Sequence, residues 1–313
     1  MRSILLVGAG GMARAYFDVI QKLDIDFEIV CRSASSAAKF EKEKGHRPIH
    51  GGLEEYLKCS NTPSHAIVAV GVEHLRETTE RLLNFGVKNI LVEKPVGLYI
   101  EDIDSLNAAA YQINANVYVA YNRRFYASVS RLLELSDGDG GIRSISFDFS
   151  EWSDRIAPLI KGAGVKERWV LSNSTHVIDL AFFLAGRPAE LSSYVSGQLD
   201  WHPNGSCFSG SGITEQGVLF NYRADWNAPG RWAVVAYTAN FKLELAPLEG
   251  LVVTKRNSVI AERIDLDCDL ETKYKPGLFK QVQAFIGEDK SKLCSIAEQA
   301  KNYPFYTRIA GYK

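Results

Sequence analysis

What the chain lacks narrows its function first. It has no charge excess: 36 Lys and Arg stand against 37 Asp and Glu, a net charge of −1. No long-range field therefore draws it to nucleic acid or to an anionic membrane. It has no apolar, uncharged run of about eighteen residues, so no membrane-spanning helix is expected. The first apolar run, Ser3-Ile4-Leu5-Leu6-Val7, is too short for the core of a secretory signal and leads into glycines. Its five cysteines, Cys31, Cys59, Cys207, Cys268 and Cys294, are scattered, odd in number and never in CxxC spacing. Neither a zinc site nor a disulfide framework is expected, no metal is assigned, and a reducing, cytoplasmic setting is the expectation. Internal repeats and low-complexity linkers are absent too. What is present is ordinary for a globular protein, 46% hydrophobic and 23% charged residues, in a chain of 313 residues that can hold two domains.

The stretch that organises the chain is Ile90-Leu91-Val92-Glu93-Lys94-Pro95-Val96-Gly97. Its apolar start has the makeup of a strand buried on both faces, as in parallel sheets. Pro95 cannot donate to a ladder and biases Lys94 away from the helical region, so the strand stops there. Ligands of open α/β sheets bind beyond the carboxyl ends of the strands, which is where Lys94 is delivered. Alone, the motif fits a solvated surface turn equally well.

The N-terminus supplies the context. The run at residues 3–7 is followed at once by Gly8-Ala9-Gly10-Gly11-Met12-Ala13, a match to the G-x-G-x-x-G/A dinucleotide fingerprint. Gly8 permits the tight turn, Gly10 lets backbone approach a pyrophosphate, and Ala13 lets the following helix sit close on the strand. Helical spacing continues through Leu23, and a second strand is predicted at Phe27–Val30. NAD-binding proteins place an Asp or Glu after that strand to accept from the ribose hydroxyls, whereas here Arg32 and Ser33 follow Cys31, with Ser35, Ser36 and Lys39 beyond. A carboxylate would repel a 2′-phosphate and Arg32 can grip one with paired donors, so NADP(H) is preferred over NAD(H). A third strand, His65–Val70, ends in Gly71, and Glu73 and His74 open an amphipathic helix. His74 either touches the cofactor or merely stands in that helix's first turn. A helix over 102–115 and a strand at Val117–Ala120 complete the alternation of a doubly wound sheet, and Tyr121-Asn122-Arg123-Arg124-Phe125 follows.

Beyond residue 124 the period changes. A helix to about Leu135 precedes an alternating stretch at Ile142–Phe149, and further alternating stretches occur at 190–200, 213–222, 231–240, 242–246 and 250–265. Successive strands with short turns predict an antiparallel sheet. One helix interrupts them, with Asn173-Ser174-Thr175-His176 leading into Val177–Leu184, and the tail is helical from Gly277 to Phe285 and again from Ser295. Asp179 lies one turn after His176 and either orients the imidazole or makes a packing hydrogen bond.

Four features together resemble the glucose–fructose oxidoreductase and inositol dehydrogenase (Gfo/Idh/MocA) family: the Gly8/Gly10/Ala13 turn, Glu93-Lys94-Pro95, Tyr121 to Phe125, and His176 with Asp179. The resemblance implies an α/β protein. A Rossmann doubly wound parallel sheet over residues 1–122 precedes an α+β domain with an open, mostly antiparallel sheet over 123–313. The C-terminal helices either stay with the second domain or pack back on the first. It implies hydride transfer between nicotinamide and a sugar, nucleotide-sugar or cyclitol hydroxyl or ketone, with Lys94 on the reacting oxygen and His176 as proton donor or acceptor. It further implies cofactor contacts from Gly8, Gly10, Gly11, Met12, Ala13, Arg32, Ser33, Gly71, His74, Glu93, Lys94 and Asn122. Substrate contacts would come from Lys94, Arg123, Arg168, Ser172, Asn173 and His176, with a homodimer or homotetramer built through the C-terminal sheet. One departure stands out. The Asp that many members carry four residues before the His is Ser172 here, and a hydroxyl cannot balance the Lys charge. A cofactor-binding regulator without turnover and a reductase of another carbonyl or of a tetrapyrrole are the alternatives.

Overall fold

Strands that are buried on both faces form the centre of the first of two units. In the computed structural model, which describes residues 3–312, the chain begins with β1 (Ser3–Val7), α1 (Gly11–Lys22), β2 (Asp26–Cys31), α2 (Ala34–Lys44) and β3 (Ile49–His50). It continues with α3 (Leu53–Cys59), β4 (His65–Val68), α4 (Val72–Asn84), β5 (Asn89–Val92), α5 (Ile100–Gln112) and β6 (Asn116–Val119). Next come α6 (Ala127–Asp137), β7 (Ser144–Asp148), α7 (Ser153–Ile156), α8 (Thr175–Ala185), β8 (Pro188–Ser196), β9 (Cys207–Thr214) and β10 (Leu219–Asp225). Last are β11 (Ala233–Tyr237), β12 (Phe241–Leu245), β13 (Val252–Lys255), β14 (Ala261–Arg263), α9 (Asp269–Lys273), α10 (Leu278–Ile286), β15 (Cys294–Ser295) and α11 (Ile296–Ala310).

The first unit takes the chain to Ala120 together with Lys273–Lys301. Its sheet runs β15-β6-β5-β4-β1-β2-β3, parallel throughout except for β15. This is the doubly wound order, reversing between β1 and β4, and such a reversal leaves a crevice at the strand ends. Residues 273–301 join this unit because α10 packs its apolar stripe, with Leu278, Val282 and Phe285 fully buried, against α1. The Phe285 ring meets His65 and Tyr118 edge-on, and β15 extends the sheet beside β6. The second unit holds Tyr121–Thr272 and the chain from Asn302.

The sheet of the second unit runs β14-β13-β12-β11-β7-β10-β9-β8, antiparallel except for the parallel pair β7 and β10. The exception follows from connectivity, since the chain leaves β7, forms helices and returns through the β8–β9 hairpin. Alternate residues Ile145, Phe147, Phe220, Tyr222, Val234, Ala236, Leu243 and Leu245 form a buried face, with α8 against β7. The opposite face carries small polar side chains, among them Ser144, Ser146, Ser192, Ser209, Ser211 and Asn221. Gly212 makes room on the buried face: a Cβ there would stand 2.6 Å from the Phe220 ring.

Two expectations are corrected. The stretches at 213–222 and 250–265 are not single strands but strand pairs broken by turns, at Gly217 and at Asn257, both with positive φ. Most of β9 escaped notice because Ser-Gly-Ser-Gly has no apolar alternation. The helix bearing His176 opens where expected, α8 starting at Thr175, and a π-helical turn, Val170–Ser174, runs straight into it.

A bidentate ion pair ties this unit together. Arg124 Nε and Nη2 donate to Asp179 Oδ2 and Oδ1 at 2.8 and 2.6 Å, both side chains being almost fully buried. Asp179 thus pairs with Arg124, and Arg124 takes this partner inside its own unit. Removing one member leaves an uncompensated buried charge. We expect Arg124→Met and Asp179→Leu each to cost about 3–5 kcal/mol of unfolding free energy in urea denaturation. The double replacement should cost clearly less than the sum; strictly additive losses would contradict the pairing.

Candidate functional site

The first unit presents a crevice beside the glycine turn. After β1 the chain turns at Gly8, where φ is +127° and a Cβ would lie 2.3 Å from the Ala69 carbonyl oxygen. Only glycine fits. Around Gly10, the N-cap of α1, and around Gly11, a Cβ would meet nothing within 4 Å. Open space before the unpaired N–H groups of a helix start fits a pyrophosphate. Buried Ala13 seats α1 close to the sheet. A cavity of about 690 Å³ opens here, lined among others by Gly8, Gly10, Arg14, Arg32, Ser36, Lys39, Gly71 and His74. Arg32 Nη1 lies 2.9 Å from His74 Nε2, and since arginine only donates, that nitrogen is the acceptor. Ser33 is not in the lining; its hydroxyl accepts from the Ser36 N–H and caps α2. Gly11, Met12 and Ala13 build the turn rather than the wall.

The end of β5 is held from several sides. The Lys94–Pro95 peptide is cis, and Val96 N–H donates to the Glu93 carbonyl at 3.1 Å. This is a type VI turn with half-buried Lys94 at its second position. The buried Glu93 carboxylate accepts from the Tyr16 hydroxyl at 2.8 Å. Burial, with this carboxylate beside it, holds the Tyr16 phenol well above its usual range, so it stays a donor. Gln299 donates its amide to the Pro95 carbonyl at 3.3 Å. Val96 has φ +78°, a strained position for a β-branched residue that persists only where its surroundings enforce it.

His176 lies in the second unit, in the first turn of α8, with 7% of its surface exposed. Its ring meets Tyr121 edge-on at 5.9 Å and Trp232 at 6.1 Å. Ser172 turns away from a ligand role: its hydroxyl donates to the Val165 carbonyl at 3.0 Å, a bond internal to the protein. Asn173 Nδ2 and Ser174 Oγ both donate to Glu151 Oε1 at 2.8 Å, and Arg231 Nη1 stands 3.6 Å from Glu151 Oε2. Burial pushes the Glu151 carboxyl up, against the pull of Ser174, Asn173 and Arg231. A buried carboxylate, Glu151, thus stands beside residues 173 and 174. Arg123 lies over Trp232 at 4.7 Å and donates to Asn122 Oδ1 at 3.3 Å, while Arg168 stacks on Tyr312 at 5.2 Å.

The expected residues thus form two sets, one around the glycine turn and Lys94, the other around His176, Asn173 and Arg123. Sequence reasoning missed Arg14, Tyr16, Glu151, Arg231 and Trp232. A signal existed for Glu151, where the alternation of β7 breaks off into Ser150-Glu151-Trp152. Nothing local marks the others.

Comparison with known proteins bears on the fold. Residues 2–121 match the model of GFO_IDH_MocA, described as an oxidoreductase family with an NAD-binding Rossmann fold. The chain is 28% identical over 205 residues to 1-carboxy-3-chloro-3,4-dihydroxycyclohexa-1,5-diene dehydrogenase of Comamonas testosteroni, a match spanning 60% of this chain and 50% of that protein. Among solved structures, UDP-N-acetylglucosamine 3-dehydrogenase GnnA of Acidithiobacillus ferrooxidans superposes with a TM-score of 0.77 at 14% identity, covering 99% of this chain and 97% of the other. Levoglucosan dehydrogenase in complex with NADH gives 0.76 at 16% identity, covering 99% and 96%. At these identities the structural likeness is one of fold.

Glu151 ordinarily titrates near pH 4.5, and the fold raises that value, so the folded protein keeps this proton after the unfolded chain has released it. Stability at this residue is consequently lost as pH rises from about 4.5. Glu151→Gln cannot ionise. We expect its urea midpoint to gain on the wild type between about pH 4 and about pH 7. A gap that does not change with pH would contradict the assignment.

Proposed function

We propose that this chain, whose residues 2–121 match the NAD-binding Rossmann model of the Gfo/Idh/MocA oxidoreductase family, is an NADP(H)-dependent enzyme of that family acting on a hydroxyl or ketone of a sugar, nucleotide sugar or cyclitol. The observation that carries this is Lys94, fixed in a type VI turn at the carboxyl end of β5 by Glu93, Tyr16 and Gln299. The glycine turn and the start of α1 would hold the pyrophosphate. Arg32, Ser36 and Lys39 line the same cavity where a carboxylate would serve NAD, and they suit a 2′-phosphate.

When bound, the nicotinamide donates or accepts the hydride. The protein's own part concerns the substrate oxygen. Reduction of a ketone develops negative charge there, which the Lys94 ammonium stabilises and His176 protonates. Oxidation runs the same transfers backwards, with His176 accepting the proton. The names of GnnA and levoglucosan dehydrogenase speak of sugar substrates, and that of the Comamonas relative of a ring diol, which supports a ring hydroxyl here. The serine-rich outer face of the second sheet supports pairing of subunits into a homodimer or homotetramer. The five cysteines, odd in number and scattered along the chain, support a reducing, cytoplasmic setting.

Arg32→Ala should raise the KM for NADPH about 10- to 100-fold while the KM for NADH changes little. Equal changes for the two cofactors would remove the basis for NADP(H). Lys94→Ala and His176→Ala should each lower kcat for the physiological substrate by about 10²- to 10⁴-fold. Steady-state turnover untouched by Lys94→Ala would overturn its assignment.

A further inference from the structure

Hydride transfer leaves three neighbours in the second unit without a role: Arg123, Arg231 and Trp232. Arg123 sits in a short 3₁₀ turn, Asn122–Phe125, and Arg231 and Trp232 immediately precede β11. Each guanidinium carbon lies 4.7 Å from the centroid of the Trp232 ring, so the two cations share one indole. They stand no more than twice that distance apart. The same indole is a neighbour of His176.

Neither arginine is neutralised as Arg124 is. Arg123 Nε is buried without a partner, and among the described residues Arg123 makes its one hydrogen bond to the neutral amide oxygen of Asn122. Burial lowers its pKa and the charge of Arg231 adds to that, with Tyr126 and Glu249 opposing. It nevertheless stays a cation, as guanidinium groups do. Glu249 is exposed, so solvent screens what it offers Arg123. Arg231 faces Glu151 at 3.6 Å, but that carboxylate also serves Asn173 and Ser174. The Arg231 side chain is 48% exposed and stacks on Trp152 as well, whose indole N–H donates to the Gly230 carbonyl. Glu151 and Trp152 also line a neighbouring cavity of about 520 Å³, together with Asp154, Arg155 and Trp226 among others.

Two guanidinium groups against one buried carboxylate leave one positive charge, the complement of a monoanion. A carboxylate is planar, takes paired donors from guanidinium forks and can lie along an aromatic face. We propose that Arg123 and Arg231, with Trp232, form a subsite for a carboxylate on the substrate. The substrate class is then a sugar acid or a carboxylated cyclitol, not a neutral sugar. For its chemistry this rests on the oxidoreductase assignment; for its binding it does not.

The test uses the full chain and matched pairs: D-glucuronate with D-glucose, D-galacturonate with D-galactose, and quinate with myo-inositol. Binding is followed by indole fluorescence with and without saturating NADPH, and turnover by reduction of NADP⁺. At least one acid should bind about tenfold or more tighter than its neutral partner. Arg123→Gln and Arg231→Gln should each bring that ratio close to one, and Arg231→Lys should restore part of it. Arg231, being half exposed, is the variant least able to disturb the fold, which circular dichroism checks. Acid and neutral partners binding alike, no acid binding at all, or a ratio that survives both Gln variants would each overturn the subsite. Acids that bind in an Arg231-dependent way without reducing NADP⁺ would uphold the subsite and remove the hydride-transfer assignment for them. Neutral sugars turned over as fast as their acids would do the reverse.

Discussion

The hydrogen bond from Tyr16 to Glu93 joins the two parts of the first unit on which function depends. Tyr16 lies on α1, the helix whose N-terminus carries the glycine turn, and Glu93 opens the turn that carries Lys94. Both groups are buried, so neither can exchange its partner for water without a desolvation cost. The strained Val96 and the Gln299 contact to Pro95 are further evidence that the end of β5 is held in one conformation. A reacting group must be placed to within a fraction of an ångström to be useful, and a turn fixed at both of its ends meets that demand better than a free loop.

In the second unit, polar groups in the interior are paired in a way that separates structural from chemical residues. Arg124 and Asp179 form a bidentate pair, and the Tyr306 hydroxyl also reaches Asp179, which commits this carboxylate to structure. Ser172 is committed to the backbone, and Glu151 collects Asn173 and Ser174 on one oxygen while its other oxygen faces Arg231. Beside those commitments stand the pair Arg123 and Arg231, which share the Trp232 ring, and that ring also neighbours His176. Two adjacent arginines thus divide their roles by the partners the fold brings to each.

The amino-acid sequence by itself determined the doubly wound sheet, the glycine turn, the end of β5 and the presence of a second, mostly antiparallel sheet. Each depends on local features: period of apolar residues, a turn that only glycine accepts, or a proline that cannot continue a ladder. The register of the serine- and glycine-rich β9 and the parallel β7–β10 pair were hidden, because pairing partners there are chosen by long-range topology. Only the tertiary structure decided which side chains are consumed as support. Ser33 became a helix cap, Ser172 a backbone donor, and Glu151 the carboxylate beside the His176 helix. A hydrogen bond or ion pair between residues far apart in the chain leaves no periodic trace, and its strength depends on a burial that no short window contains.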